Sequence, residues 1–207
     1  MRIPDSARMA LVIAFSYGKT QPSFEIYEKP KRETKKIRRT PTYGNPISSK
    51  ETRSSRASTT ARCVDAIQIG HILRVAESPA MDVFVRDWLR FAYDEDCPAE
   101  VSKRVYLCLM MEWATLISRS KPISEGLMGH YDQLGKVAMA EFRSTVSNGK
   151  PRYKTSEKCE ILGLNPEAVK NWGRDWQPHL TDMIKILDDA DREGLGPIAN
   201  LLHEFAA

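Results

Sequence analysis

The chain has 207 residues, 42% of them apolar, which suits one domain with a tail or two small domains. No apolar run approaches the roughly 20 residues that span a bilayer, so we expect no membrane partner. Its net charge of +4 is unevenly distributed along the chain, because the segment from Lys29 to Arg62 holds eleven Lys and Arg against two Glu. That segment carries +9 and the remainder −5, which favours a nucleic-acid partner for the basic segment.

Residues 1–60 are predicted to form a flexible basic N-terminal arm. Residues 29–60 contain few large apolar groups and cannot bury enough surface to offset their chain entropy. The alternative is a solvated tail without a specific role. The apolar run Met9–Phe15 fits a strand, a helix or an extension that does not pack. It resembles a signal-peptide core, but Asp5 precedes it and no small-residue cleavage site follows, so we do not expect export.

A helical body is predicted over residues 61–147, because apolar residues recur with the helical period and no stretch alternates for long with period two. The first helix is expected over 61–76, and Ser78-Pro79 is expected to open the second. The third should run over 98–118 and be buried over most of its surface, since its apolar residues spread widely around it. The fourth is expected over 124–145.

The C-terminal region, residues 148–207, is predicted to contain a helix-turn-helix. Thr155 can cap a first helix, and Gly163 can end it because glycine readily adopts positive φ. Asn165 can cap a second helix with Pro166 at its first position, where the missing N–H costs nothing. A helical hairpin within a bundle is the alternative interpretation.

The outer face of that second helix is the predicted DNA-reading surface, where side chains reach base edges in the major groove. Lys, Asn and Arg pair with purine edges and phosphates, and the basic loop 148–154 suits a backbone contact. Glu167 either accepts from a cytosine or simply favours the helix N-terminus. Trp172 suits either base stacking or the core. The predicted DNA-binding residues are Lys154, Asn165, Glu167, Lys170, Asn171, Trp172 and Arg174.

A further helix is expected from Pro178, broken at Gly194 and Gly196, with a last amphipathic turn from Pro197. The predicted fold class is therefore all-α, a helical domain with a C-terminal helix-turn-helix preceded by a basic disordered arm.

No feature of the sequence supports an enzyme, a metal or a cofactor. The four cysteines form no C-x-x-C pair and indicate buried free thiols in a reducing cytoplasm, and the four histidines lack metal-ligand spacing. The acidic residues 94–100 favour a connection between helices over a Mg²⁺ site. The group Asp188, Asp189 and Asp191 is interpreted as a solvated helix end. There is no glycine-rich phosphate loop.

Four segments occur in an order that is typical of one family. They are Thr40–Ser58, rich in Ser and Arg; Val64-Asp65-Ala66 with the apolar helix that follows; Phe91-Ala92-Tyr93-Asp94-x-Asp96-Cys97; and Trp172-x-Arg174-x-Trp176-x-Pro178-x-Leu180. Together they resemble the lambda-type Q antitermination proteins of lambdoid phages. The lambda protein holds zinc with cysteine pairs, but residues 119–152 of this chain contain no cysteine, so we expect no zinc.

The resemblance implies a mechanism without catalysis in the bacterial host cytoplasm. Such a protein binds double-stranded DNA overlapping the phage late promoter and engages bacterial RNA polymerase that has paused downstream with its sigma factor. It then travels with the polymerase near the RNA exit channel, where it blocks terminator hairpins and the basic arm can follow DNA or nascent RNA. Trp172 and Arg174 match the family pattern, whereas the other predicted contacts rest on the helical face alone.

The sequence is also compatible with three other functions. A helix-turn-helix repressor or activator would usually be a dimer, but no dimerisation heptad is evident. A non-catalytic helical adaptor would bind a partner protein and show no sequence preference for DNA. A nuclease that uses Asp94 and Asp96 is a more distant alternative, and it would require metal-dependent cleavage.

Overall fold

A computed structural model describes residues 5–20, 66–118 and 127–206, and all regular secondary structure in these ranges is helical, as predicted. Across these ranges no helix combines the length and apolarity that a membrane span requires. The helices are α1 (Asp5–Thr20), α2 (66–76), α3 (Val83–Tyr93), α4 (Ala99–Ser118), α5 (Met128–Asn148), α6 (Thr155–Ile161), α7 (Ala168–Asp175) and α8 (Gln177–Ala206).

The long helix α8 is the element around which the others pack. Its 30 residues extend about 45 Å at the usual helical rise, and it contacts α1, α3, α4, α5 and α7. Large side chains from α3, α4, α5 and α8 fill the core that these contacts enclose. Its fully buried members include Trp88, Leu89, Leu109, Trp113, Leu134, Leu180, Met183 and Leu187.

The predicted break in the last helix is wrong, because α8 continues through Gly194, Gly196 and Pro197. A Cβ atom at Gly194 would lie 2.8 Å from three atoms of the Leu89 side chain on α3. The glycine at this position therefore permits a close approach of two helices and does not end one.

The helix α1 corrects the proposed boundary of the N-terminal arm. Ala7, Leu11, Ala14 and Phe15 recur with helical spacing and are buried against the body, so residues 5–20 belong to the folded domain. The basic segment from Lys29 to Arg62 lies outside the described residues, as does the predicted start of the first body helix.

Asp191 corrects the interpretation of 188–191 as a solvated helix end. Its carboxylate is fully buried and accepts hydrogen bonds from Trp88 Nε1 at 3.1 Å and from the Tyr93 hydroxyl at 2.8 Å. Arg8 of α1 also donates to it at 3.1 Å. Burial raises the pKa values of the Asp191 carboxyl and of the Tyr93 hydroxyl. A buried carboxylate needs such partners, so this contact fixes α1 and α3 against α8.

Two local predictions in the body also require correction. Ser78-Pro79 forms a turn, and α3 begins at Val83 because the Asp82 carboxylate accepts the N–H of Phe84 at 2.8 Å. The helix α4 lies where it was predicted, but only one of its sides is buried. Its exposed large side chains are Leu107, Met111 and Leu116.

We expect Gly194→Ala to lower the free energy of unfolding by about 1–3 kcal/mol, because Leu89 is fully buried and cannot move away from the added methyl group. The matched control is Gly70→Ala in α2, where an added Cβ meets no atom within 4 Å. This control should instead stabilise the chain by up to about 1 kcal/mol, since alanine favours helix over glycine. Urea unfolding of both variants tests the expectation, and a Gly194→Ala variant as stable as the parent would contradict it.

Candidate nucleic-acid interface

The loop that precedes α6 is held by a buried carboxylate on α5. The helix α5 ends at Asn148, and the next residue, Gly149, caps it with φ 68°. Glu141 is 4% exposed, and its Oε1 accepts the N–H of Tyr153 at 2.7 Å. Its Oε2 lies 3.5 Å from Nζ of Lys158 on α6. One buried side chain therefore fixes both the loop 149–154 and the helix that follows it.

The helix α6 begins differently from the prediction, since Lys154 and not Thr155 occupies the capping position. The Glu157 carboxylate accepts the Lys154 N–H at 2.7 Å, which satisfies one of the free donors at the start of the helix. The Lys154 side chain is exposed. Its ammonium group is thus free of any capping role and faces solvent beside the loop.

The turn between α6 and α7 has the geometry that glycine permits. Gly163 has φ 68°, as the sequence predicts, and its N–H donates to Glu160 O, while the Leu164 N–H donates to Cys159 O. These two bonds form a Schellman motif. The Asn165 side chain then accepts the Glu167 N–H at 3.2 Å, but this bond belongs to the turn, because regular helix begins only at Ala168. The prediction that Asn165 caps the second helix with Pro166 at its first position is therefore wrong.

Buried side chains lock this α6–α7 hairpin onto the body. Cys159, Leu162, Trp172 and Trp176 are buried, and burial raises the pKa of the Cys159 thiol. His130 Nδ1 of α5 lies 2.6 Å from the Leu162 carbonyl oxygen at the end of α6. The rings of His130 and Tyr131 also contact Trp176. The hairpin is therefore held to α5 by aromatic packing and by a hydrogen-bonding contact, and α7 also contacts α8.

The structure separates the predicted DNA-binding residues into two groups. Most are exposed, with Glu167, Lys170, Asn171 and Arg174 following the i, i+3, i+4, i+7 pattern of one helix face. The exposed members are Lys154, Asn165, Glu167, Lys170, Asn171 and Arg174. Trp172, in contrast, is 4% exposed, and its indole N–H donates to Gln177 at 2.8 Å. Assigning Trp172 to DNA contact is thus inconsistent with this structure, in which it supports the hairpin.

Arg174 has a neighbouring anion, Asp175, which was not among the predicted site residues. Its guanidinium donates to both oxygens of Asp175, at 2.7 and 3.1 Å, on the solvent-exposed side of α7. This hydrogen bonding raises the pKa of Arg174 and lowers that of Asp175. Over residues 150–177, Lys and Arg number six against four Asp and Glu, so the hairpin and its loop carry a net charge of +2.

The supporting residues Glu141 and His130 were not predicted from the sequence. Their positions in a helical pattern are compatible with ordinary surface residues, and their partners lie 12 and 32 residues away. No local signal in the sequence reports such contacts. Among the described residues, no cluster of three or more His, Cys, Asp or Glu is arranged to hold a metal ion.

The fold and the hairpin define an all-α protein that exposes a short polar helix beside a basic loop. The family model for phage antitermination protein Q matches residues 27–204, well over half of the chain. The chain therefore belongs to the phage antitermination protein Q family, which confirms the resemblance found in the sequence. Membership supports a role in phage transcription antitermination and implies interaction with RNA polymerase and nucleic acid. No curated protein and no solved structure matches the chain.

We expect Glu141→Ala to lower the free energy of unfolding by about 1–3 kcal/mol, because it leaves the Tyr153 N–H without its acceptor and Lys158 without its carboxylate. Faster hydrogen exchange should be concentrated in the loop 149–154 and in α6. Glu160→Ala, at an exposed position of α6, is the matched control and should change stability by less than about 0.5 kcal/mol. Equal effects of the two substitutions would show that Glu141 does not hold the loop.

Proposed function

We propose that this protein is a phage late-gene antitermination factor that binds promoter-region DNA and modifies RNA polymerase so that it reads through terminators. The α6–α7 hairpin acts as a helix-turn-helix, with α7 as the helix that enters the major groove. The protein works without catalysis and without a cofactor, in the cytoplasm of the bacterial host. It engages polymerase that still holds its sigma factor.

The observation that carries the proposal is the division of α7 into a buried and an exposed face. Trp172 fixes the helix from beneath, while Lys170, Asn171 and Arg174 project from the opposite side. Asn and Arg form bidentate pairs with adenine and guanine edges in the major groove. The body already holds this helix in place, so the helix loses little conformational entropy on binding DNA. Little of the free energy of the base contacts is therefore offset, and most of it contributes to affinity.

The loop 149–154 supplies contacts of a different kind. Lys150, Arg152 and Lys154 are exposed on the segment that Glu141 anchors, directly before the hairpin. Cations on a fixed loop bind phosphates, which positions the protein on the duplex but carries no sequence information. The hairpin would therefore read bases through α7 and hold the backbone through the loop.

The pair of Arg174 and Asp175 affects how much Arg174 contributes. The guanidinium must leave the Asp175 carboxylate, or share it, before it reaches a base edge. The same carboxylate repels phosphates, so it disfavours complexes in which the DNA backbone lies close to Asp175. The arrangement therefore increases specificity for the correct site more than it increases affinity.

We expect Arg174→Ala and Asn171→Ala to weaken binding to the specific DNA site by about tenfold or more and to relax its base preference. Lys150→Ala and Lys154→Ala should weaken binding to all DNA and reduce the salt slope by about one each. Lys103→Ala, an exposed cation on α4, is the control and should have little effect. Fluorescence anisotropy with specific and random duplexes at several salt concentrations measures this. Identical behaviour of both groups would contradict the division of roles.

Run-off transcription tests the whole function. The template carries a terminator downstream of the phage's own late promoter, and the assay uses bacterial RNA polymerase holoenzyme. We expect terminator readthrough that requires both the upstream DNA and Arg174. Unchanged termination with intact promoter binding would instead favour a repressor or activator. Readthrough without any need for DNA binding would remove the proposed role of α7.

A further inference from the structure

A groove on the body lies between α3, α4 and α8, outside the α6–α7 hairpin. It has a volume of about 610 Å³, and several apolar side chains line it. Met111 is 69% exposed and Val83 is 53% exposed, while Phe84 and Ile186 are partly buried beside them. Exposed apolar side chains in a concave surface are typical of a site that another molecule covers.

Four carboxylates, Asp82, Glu112, Asp189 and Glu193, line the same groove, which we call the acidic groove. Within the described ranges, none of the four forms an ion pair with Lys or Arg. Among the described residues, Asp82 is the one member of the four whose carboxylate accepts a hydrogen bond, as the cap of α3.

The arrangement of charge on α8 favours a cationic partner for the acidic groove. Asp189 and Glu193 lie four residues apart on α8, where like charges repel each other. Arg192, the cation between them in sequence, is bound instead to Asp188 at 2.5 Å. Within the described ranges, carboxylates that form no ion pair therefore surround the apolar lining of the groove, and this combination favours a cationic partner over nucleic acid.

We propose that the acidic groove binds a basic amphipathic segment of bacterial RNA polymerase holoenzyme. Apolar side chains of that segment lie against Val83, Phe84 and Met111, and its Lys or Arg side chains pair with the surrounding carboxylates. The basic and apolar chemistry of the occupant follows from the groove alone, whereas its assignment to polymerase rests on the proposed function. An amphipathic segment that places apolar anchors in a groove between helices is a common mode of recognition.

The shape and composition of the acidic groove fit this partner. Met111 has a flexible, polarisable side chain that adapts to the surface it meets. Carboxylates at the rim of an interface raise the association rate and set the orientation of a basic partner. The protein would then use two surfaces of opposite charge, one for DNA at the hairpin and one for protein on the body, so both partners can be held at once.

The test measures binding of the full-length, fluorescently labelled chain to purified bacterial RNA polymerase holoenzyme without DNA. In the variant Glu112→Lys/Glu193→Lys we expect the dissociation constant to rise at least tenfold and its salt dependence to weaken. Val83→Ser/Met111→Ser removes apolar contact at exposed positions that the fold does not need, and it should weaken binding at least fivefold. Binding of both variants to promoter DNA should be no weaker than that of the parent.

The matched control is Asp182→Lys/Glu204→Lys, which makes the same change of charge at exposed positions of α8 outside the acidic groove. It should bind polymerase within twofold of the parent. Polymerase binding that is unchanged in both groove variants would overturn the proposal, and so would an equal loss in the control, or a parent that does not bind polymerase. Failure of the DNA-reading role appears separately, as loss of specific DNA binding by the parent chain.

Discussion

The buried carboxylate of Asp191 is the constraint on which the rest of the body depends. A charge that is removed from water is tolerated only where donors replace its hydration. Here the donors come from Trp88 and Tyr93 of α3 and from Arg8 of α1. The position of α8 relative to these two helices is therefore set by hydrogen bonds as well as by apolar packing. With α8 fixed, its N-terminal end is also fixed, and that end supports the α6–α7 hairpin.

An aromatic cluster at that end of α8 holds α7 in a fixed position against the body. Trp113 of α4, Tyr131 of α5 and His179 of α8 contact one another, and Trp176 joins them at the junction of α7 and α8. Burial lowers the pKa of His179, which favours its neutral form within the cluster. The helix α7, which we propose reads DNA, is held in this way and presents its side chains in one orientation. The acidic groove lies on the same rigid body, so the two proposed binding surfaces would keep a constant relation to each other.

The proposed site was partly predictable, because its determinants are partly local. Gly163 and Asn165 act through bonds to residues within five positions, and such turn chemistry is visible in a sequence. The exposure of Lys170, Asn171 and Arg174 likewise follows from helical periodicity. Trp172 lies on the buried face of the same helix, and its residue type alone suited either environment. The anchoring by Glu141 was not predictable, since a carboxylate in a helical pattern is usually solvated.

The sequence by itself determined the all-α class, most helix positions, the glycine turn and the membership of the Q family. These properties follow from the spacing of apolar residues, from capping chemistry and from motifs, all of which act over short stretches of chain. Tertiary structure alone decided that α1 joins the core, that Gly194 lies inside a helix and that Asp191 is buried. It also left Met111 exposed beside carboxylates that form no ion pair with the residues that the structure describes. Each of these outcomes depends on which distant helix packs against the residue, and packing partners are not encoded in the local pattern.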